Sequence, residues 1–347
     1  MKDVDSRDTV RAKPPAVKKA ARAAPFPAAL EPELATLVRE APVGPEWVHE
    51  IKFDGYRFVA FLRGGRARLT SRNGVEWTER LPRFCERMGR GIRAKTAVLD
   101  GELVALDGRG ISDFAALKDA LGRDDDAALV YYAFDLVYLD GRDLRDLPLL
   151  ERKEALKALV EKAALPSLRY SDHVEGLGEL FFKRSCEFAL EGSISKRKDA
   201  PYRSGRGFDW VKVKCQKRQE FAIGGFTEPR SSRQGFGALL LGVYEGGRLV
   251  YSGKVGTGFN DKLLRDLRAR LDTLERPESP FADVIPRAER LGAHWVQPRL
   301  VAEVTFTQWT KDHRLRHPSF VGLREDKPAE EIVHEVAVPP PKPRRRD

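Results

Sequence analysis

The chain has 347 residues, 41% of them hydrophobic and 33% charged, which is too long for one typical core and implies two domains in a soluble globular protein. Lys and Arg number 62 against 52 Asp and Glu, a formal charge of +10 that suits a polyanionic partner without identifying one. No apolar run reaches membrane-spanning length and no signal peptide is evident. Cys85, Cys186 and Cys215 stand far apart without C-x-x-C spacing, so we expect no disulfide framework and no zinc ribbon, and place the protein in a reducing cytoplasm.

Residues 1–27 are rich in Lys, Arg, Ala and Pro and read as a basic arm or linker. Glu31 to Glu40 reads as a short helix. Strands begin at Trp47, and a tight turn at Asn73-Gly74 closes the one over Arg66 to Arg72. Trp77 to Met88 reads as helix, Ala97 to Leu106 as a buried strand pair, and Leu129 to Leu139 as a long aromatic strand. Pro148 suits the first turn of a helix running to about Ala163, and Leu177 to Leu190 has helical apolar spacing. Trp210-Val211-Lys212-Val213-Lys214 alternates with period two, as a strand does. A boundary falls near residue 218. Beyond it come short strands at Glu220–Phe226, Phe236–Tyr244, Arg248–Lys254 and Arg299–Thr307, with a helix capped by Asn260. That pattern fits a small β-barrel of the OB-fold type. We therefore expect an α+β chain: an arm at 1–27, a first domain of antiparallel sheets with helices at 28–217, an OB-fold at 218–332 and a Pro/Arg-rich tail at 333–347.

The chemistry centres on Glu50-Ile51-Lys52-Phe53-Asp54-Gly55-Tyr56-Arg57. Strand alternation puts Glu50, Lys52 and Asp54 on one side. Taken alone, such a lysine is a surface ion pair; in a cleft it is a nucleophile whose pKa must fall before it attacks. A lysine aimed at a nucleotide's α-phosphate needs phosphate-binding cations, carboxylates for a divalent metal and an aromatic face for the base. Lys212 and Lys214, Glu102 and Glu191, and Phe134 supply these, although singly they read as an edge strand, surface acids and a core aromatic.

Lys52-Phe53-Asp54-Gly55-Tyr56-Arg57 resembles the K-x-D-G-x-R signature of covalent nucleotidyltransferases, the ATP-dependent DNA ligases and their relatives. Ser71-Arg72-Asn73-Gly74, Leu99-Asp100-Gly101-Glu102, Phe134-Asp135-Leu136, the E-G-x-x-x-K stretch Glu191 to Lys196, the two-lysine strand and the R…D-K ending from Arg316 to Lys327 follow in the family's order. Asp199 to Arg206 and Arg316-His317-Pro318-x-Phe320 are similar to the ligase domain of bacterial ligase D, which serves non-homologous end joining. Ser193 departs from the family, which usually carries an aliphatic residue there. The resemblance leads us to expect that ligase domain without its companion primase-polymerase and phosphoesterase modules, and with the basic arm as the remnant of a linker.

By that resemblance, Lys52 forms a lysyl-AMP from ATP with Mg2+ or Mn2+ and passes the adenylate to a nick. Phe134 stacks on adenine, Glu50 faces its edge, and Glu102 and Arg57 meet the ribose. Arg72 meets phosphate; Lys196, Lys212 and Lys214 meet the α-phosphate; Glu102 and Glu191 hold the metal. Arg316, Arg324, Asp326 and Lys327 swing in on the second domain to orient pyrophosphate. The implied partners of this monomer are nicked or broken double-stranded DNA, Ku and an end-joining polymerase, and the implied location is cytoplasmic and nucleoid-associated. The rival readings are an RNA ligase, a GTP-using capping enzyme and a non-catalytic DNA-binding relative.

Overall fold

The computed structural model describes residues 21–123, 125–229 and 234–341. The first domain is built on two sheets. In one, β3 (Tyr56–Arg63) pairs with β4 (Arg66–Ser71) and β5 (Thr96–Ala105), and β5 pairs with β6 (Leu129–Leu139). In the other, β1 (Glu33–Leu37), β2 (Trp47–Ile51), β8 (Gly192–Arg197) and β9 (Gly205–Lys214) run in the order β2-β8-β9-β1, with β1 parallel to β9. Of the three remaining short strands of the first sheet, β7 (Leu168–Tyr170) lies parallel to β6, and Arg142–Asp143 pairs with both β6 and Arg22–Ala23.

Strand alternation divides the core. From β3, Phe58, Ala60 and Leu62 point to a layer made by helices α1 (Pro82–Gly91), α2 (Phe114–Gly122) and α3 (Leu149–Ala163). Val59 and Phe61 point the other way and meet Val98, Phe134 and Val137, and Trp210 and Tyr202 from the second sheet's side. The two sheets therefore pack face to face, and the functional strands end along one seam between them. A fourth helix, α4 (Gly178–Glu187), covers the outer side of β8 and β2.

Three residues (Cys215–Lys217) lead into the second domain. Strands β10 (Arg218–Thr227), β11 (Leu239–Glu245), β12 (Arg248–Val255), β13 (Ala293–Val296), β14 (Val301–Thr305) and β15 (Ser319–Arg324) form one sheet around a core that includes Leu264, Leu267 and Leu271 of helix α5 (Asp261–Asp272). Asn260 caps α5 as expected, its side chain accepting from Leu263 N–H at 2.8 Å. The sheet is that of an OB-fold domain, but among the described residues its ladder stays open rather than closing into a barrel.

Several expectations need correction. Residues 33–37 form strand β1, not part of a helix, because β9 offers them a parallel neighbour. Residues 21–27 are not a free arm: Arg22 and Ala23 pair with Asp143 and Arg142, and Phe26 packs edge-on against Phe61 and Tyr138. Positions 1–20 and 342–347 lie outside the described residues. Segment 333–341 is not a loose tail; it returns to the first domain, where Val38 and Val338 form a parallel bridge. Cys186 and Cys215 are joined by a disulfide, with Cα atoms 5.3 Å apart, since the end of α4 packs beside the end of β9. Among the described residues no helix is long and apolar enough to cross a membrane.

Candidate active site

Lys52 lies where β2 gives way to a turn. Its backbone N–H still bonds to Gly192 O at 3.1 Å, so the β8 edge fixes its height in the cleft. Gly55 follows because a Cβ there would overlap the Leu103 carbonyl of β5. The Lys52 ammonium pairs with Glu191, at the start of β8. The carboxylates flanking Lys52 are occupied elsewhere. Glu50 is buried and takes Lys153 at 2.8 Å, Lys196 at 3.0 Å and the Ser171 hydroxyl at 2.8 Å. Burial pushes its pKa up, but Lys153 and Lys196 outweigh this and hold it below the usual carboxylate value. Asp54 pairs with Arg218 of the second domain at 2.6 Å. The three acids therefore do not compete for one cation.

Lys52 opens onto a cavity of about 160 Å³ lined by Arg57, Arg72, Glu102, Phe134, Lys212 and Lys214 from the first domain, and by Arg324, Asp326 and Lys327 from the second. Arg57 is held by Asp100 through two bonds of 2.9 and 2.5 Å, with the Tyr202 hydroxyl on the same carboxylate at 2.7 Å. Its guanidinium lies 5.1 Å from the Phe134 ring centre. Phe134 is thus a wall of the cleft as well as a member of the inter-sheet core. Ile194, on the cleft face of β8, is a lining residue that the motif reading passed over.

Lys196 lines the same cavity; it is buried, with its ammonium 4.5 and 4.1 Å from the Phe134 and Trp210 ring centres and Glu50 as its anion. Arg316 departs from its expected place. It is exposed on a two-residue strand paired with Gln308 and does not line the cleft, whereas Arg324, Asp326 and Lys327 do. Ser193 faces away from the cleft, buried, its hydroxyl without a hydrogen-bond partner among the described residues.

The second domain is closed over the first. Arg324 bonds Asp326 twice at 2.8 Å and Glu303 at 3.2 Å, while its guanidinium lies 5.1 Å from the Tyr56 ring centre. Lys327 pairs with Glu220, Arg218 takes Glu303 at 2.7 Å, and Asn73 reaches Asp326 O at 3.3 Å. Arg218, Glu220 and Glu303 were not legible as site residues, because each belongs to an unremarkable strand and only the folded sheet brings it to its partners, Glu220 to Lys327 and Glu303 to Arg218 and Arg324.

Glu102 and Glu191 line the same cavity. Burial, reinforced by repulsion from Glu191, pushes the Glu102 carboxyl up to about 8 against the pull of Lys52, Arg324 and Arg57. Among the described residues no group of three or more His, Cys, Asp or Glu forms a ready metal cage. Two carboxylates facing one cleft fit Mg2+ nonetheless, since that ion is commonly bound through one or two carboxylates together with substrate phosphates.

A lysine in a cation-lined seam between two sheets, closed over by an OB-fold, defines a covalent nucleotidyltransferase. Residues 30–214 match the family model described as ATP dependent DNA ligase domain, and residues 232–327 match that of the ATP dependent DNA ligase C terminal region. The chain belongs to the ATP-dependent DNA ligases. It is 44% identical over 336 residues to the multifunctional non-homologous end joining protein LigD of Pseudomonas aeruginosa, covering 96% of this chain and 40% of that protein. It is 37% identical over 292 residues to the LigD of Mycobacterium tuberculosis, covering 84% of this chain and 38% of the other. The chain thus spans less than half the length of these relatives. A solved mycobacterial DNA ligase D complexed with ATP and MES superposes with a TM-score of 0.66 at 36% identity, over 88% of this chain and 98% of that one.

Proposed function

We propose that this chain seals nicks and breaks in duplex DNA with ATP, as the ligase unit of a double-strand break repair system. The observation that carries the reading is the position of Lys52, at the mouth of a cavity whose remaining cations converge where a polyphosphate would lie. Lys52, paired with Glu191, must lose a proton before it attacks. In this scheme Nζ bonds to the α-phosphorus and the α–β phosphoanhydride breaks, releasing pyrophosphate. The 5′-phosphate of the nick then takes the adenylate, breaking the P–N bond, and the 3′-hydroxyl displaces AMP. Splitting one condensation into three displacements is covalent catalysis.

Phe134 would form one face of the base site, while Arg57, pre-set by Asp100 and Tyr202, would meet the sugar together with Glu102. Arg72, Lys212 and Lys214 would hold phosphate oxygens. A divalent ion held by Glu102 and Glu191 would supply charge neutralisation at the phosphates. Arg324, Asp326 and Lys327 would align the leaving pyrophosphate in the closed state, a common use of domain closure. Ku and an end-joining polymerase belong to the wider repair reading, testable by co-purification. Incubation with labelled ATP, then chase with a nicked duplex, tests the core reading: wild type should take up label and release it as ligated product. Lys52→Ala should do neither while still binding the duplex. Label from GTP alone would instead indicate a capping-type enzyme.

A further inference from the structure

The segment beyond residue 332 carries an observation that this reaction does not use. It leaves the second domain at Ile332, whose carbonyl accepts from Tyr244 N–H at 2.6 Å. Gln219 clamps the next turn, donating to Val333 O at 3.1 Å and accepting from Glu335 N–H at 3.3 Å. The strand then lies beside β1: Val338 N–H donates to Leu37 O at 3.1 Å, and Val338 O accepts from Arg39 N–H at 3.0 Å. Midway along this strap, the Glu335 carboxylate accepts from Lys212 at 2.7 Å and from Lys214 at 2.9 Å.

These are the two ammonium groups assigned above to the α-phosphate. A lysine ammonium is a compact point charge, and a carboxylate oxygen satisfies it much as a phosphate oxygen does. Both anions cannot hold the pair together, since each would face the other's charge at close range in a poorly solvated cleft. The cavity beside them, about 160 Å³, is also below the roughly 300–1,000 Å³ typical of a site for a drug-sized ligand. We propose that Glu335 is an intramolecular stand-in for phosphate, and that ATP enters by displacing it and lifting the strap from β1. This rests on the reading of Lys212 and Lys214 as phosphate ligands. Burial pushes the Glu335 carboxyl up, but the two lysines outweigh it and hold it well below the usual carboxylate range. The competitor is therefore charged wherever the enzyme works. Because the strap must be released before ATP seats, it scales the apparent affinity down to the fraction of molecules in which it is undocked.

The test follows Lys52 adenylation in single turnovers across ATP concentration. Glu335→Gln should lower the half-saturating ATP concentration about tenfold, and Val338→Pro, which removes the N–H donated to Leu37, should move it the same way. An unchanged or raised value in Glu335→Gln overturns the proposal. Lys212→Ala separates the two readings: it should raise half-saturation, and if it does not, the phosphate assignment fails and the stand-in with it. A readout free of catalysis is hydrogen exchange at the Val338 amide in the full chain. Saturating a non-cleavable ATP analogue should speed that exchange; equal protection with and without the bound analogue overturns the displacement.

Discussion

Glu102 is held in the protonated state by the folded protein up to about pH 8, against an ordinary value of 4.5. The sign of the consequence follows from proton linkage. Between those two values the native state binds more protons than the unfolded chain, so this carboxyl makes stability fall as pH rises. Glu102→Gln keeps the shape and removes the titration. It is expected to be more stable than wild type in urea at pH 8, with the gap closing toward pH 4; a gap independent of pH would refute the assignment. That Glu102 and Glu191 share one cleft was legible from motif order. What orients their neighbours was not: Asp100 and Tyr202 are 102 positions apart, and only the register of β5 against the loop before β9 brings them together on Arg57.

At the level of elements, sequence pattern served best where local and tertiary preferences agree. Leu129–Leu139 is a strand end to end, as its aromatic and β-branched composition implies, because both of its faces are covered. It failed at Glu33–Leu37, whose composition tolerates a helix and whose strand state comes from a partner more than 170 residues away. Helix α2 went unread although its signal is present: Asp113 caps it, accepting from Ala115 and Ala116 N–H at 2.8 and 3.1 Å. The Cys186–Cys215 link was invisible in spacing because α4, β8 and β9 fold its 29-residue separation back on itself. Closing a loop of that length constrains the unfolded chain by roughly 3–4 kcal/mol. Reduction, or Cys186→Ser, is expected to lower the urea-unfolding free energy of the first domain by an amount of that order. A shift too small to measure would show that the link adds nothing to stability.

Across the whole molecule, the two domains meet where Arg218 pairs with Asp54, Asn73 reaches Asp326 O and Arg324 lies over Tyr56, while the cleft-lining pairs Lys327–Glu220 and Arg324–Asp326 lie within the second domain. Closure and catalysis should therefore be separable by step. Lys327→Ala is expected to slow lysyl-AMP formation by tenfold or more while leaving the sealing of a pre-adenylated nick near wild type; equal loss in both would remove Lys327 from pyrophosphate alignment. Duplex affinity should drop steeply with added salt, since a net charge of +10 favours phosphate contacts over base contacts. None of the contacts between domains could be read from the chain, because a motif within one domain does not say which residue of the other it will meet.

The OB-fold domain is attached to its partner twice, by the covalent link at 215–217 and by the strap that carries Val338 to the edge of β1. A body fastened at two points turns only about the line between them, like a door; freed at one, it pivots in any direction. Detaching that second fastening would therefore change the number of directions in which the domain can move, and with it the range of duplex shapes the proposed ligase could embrace.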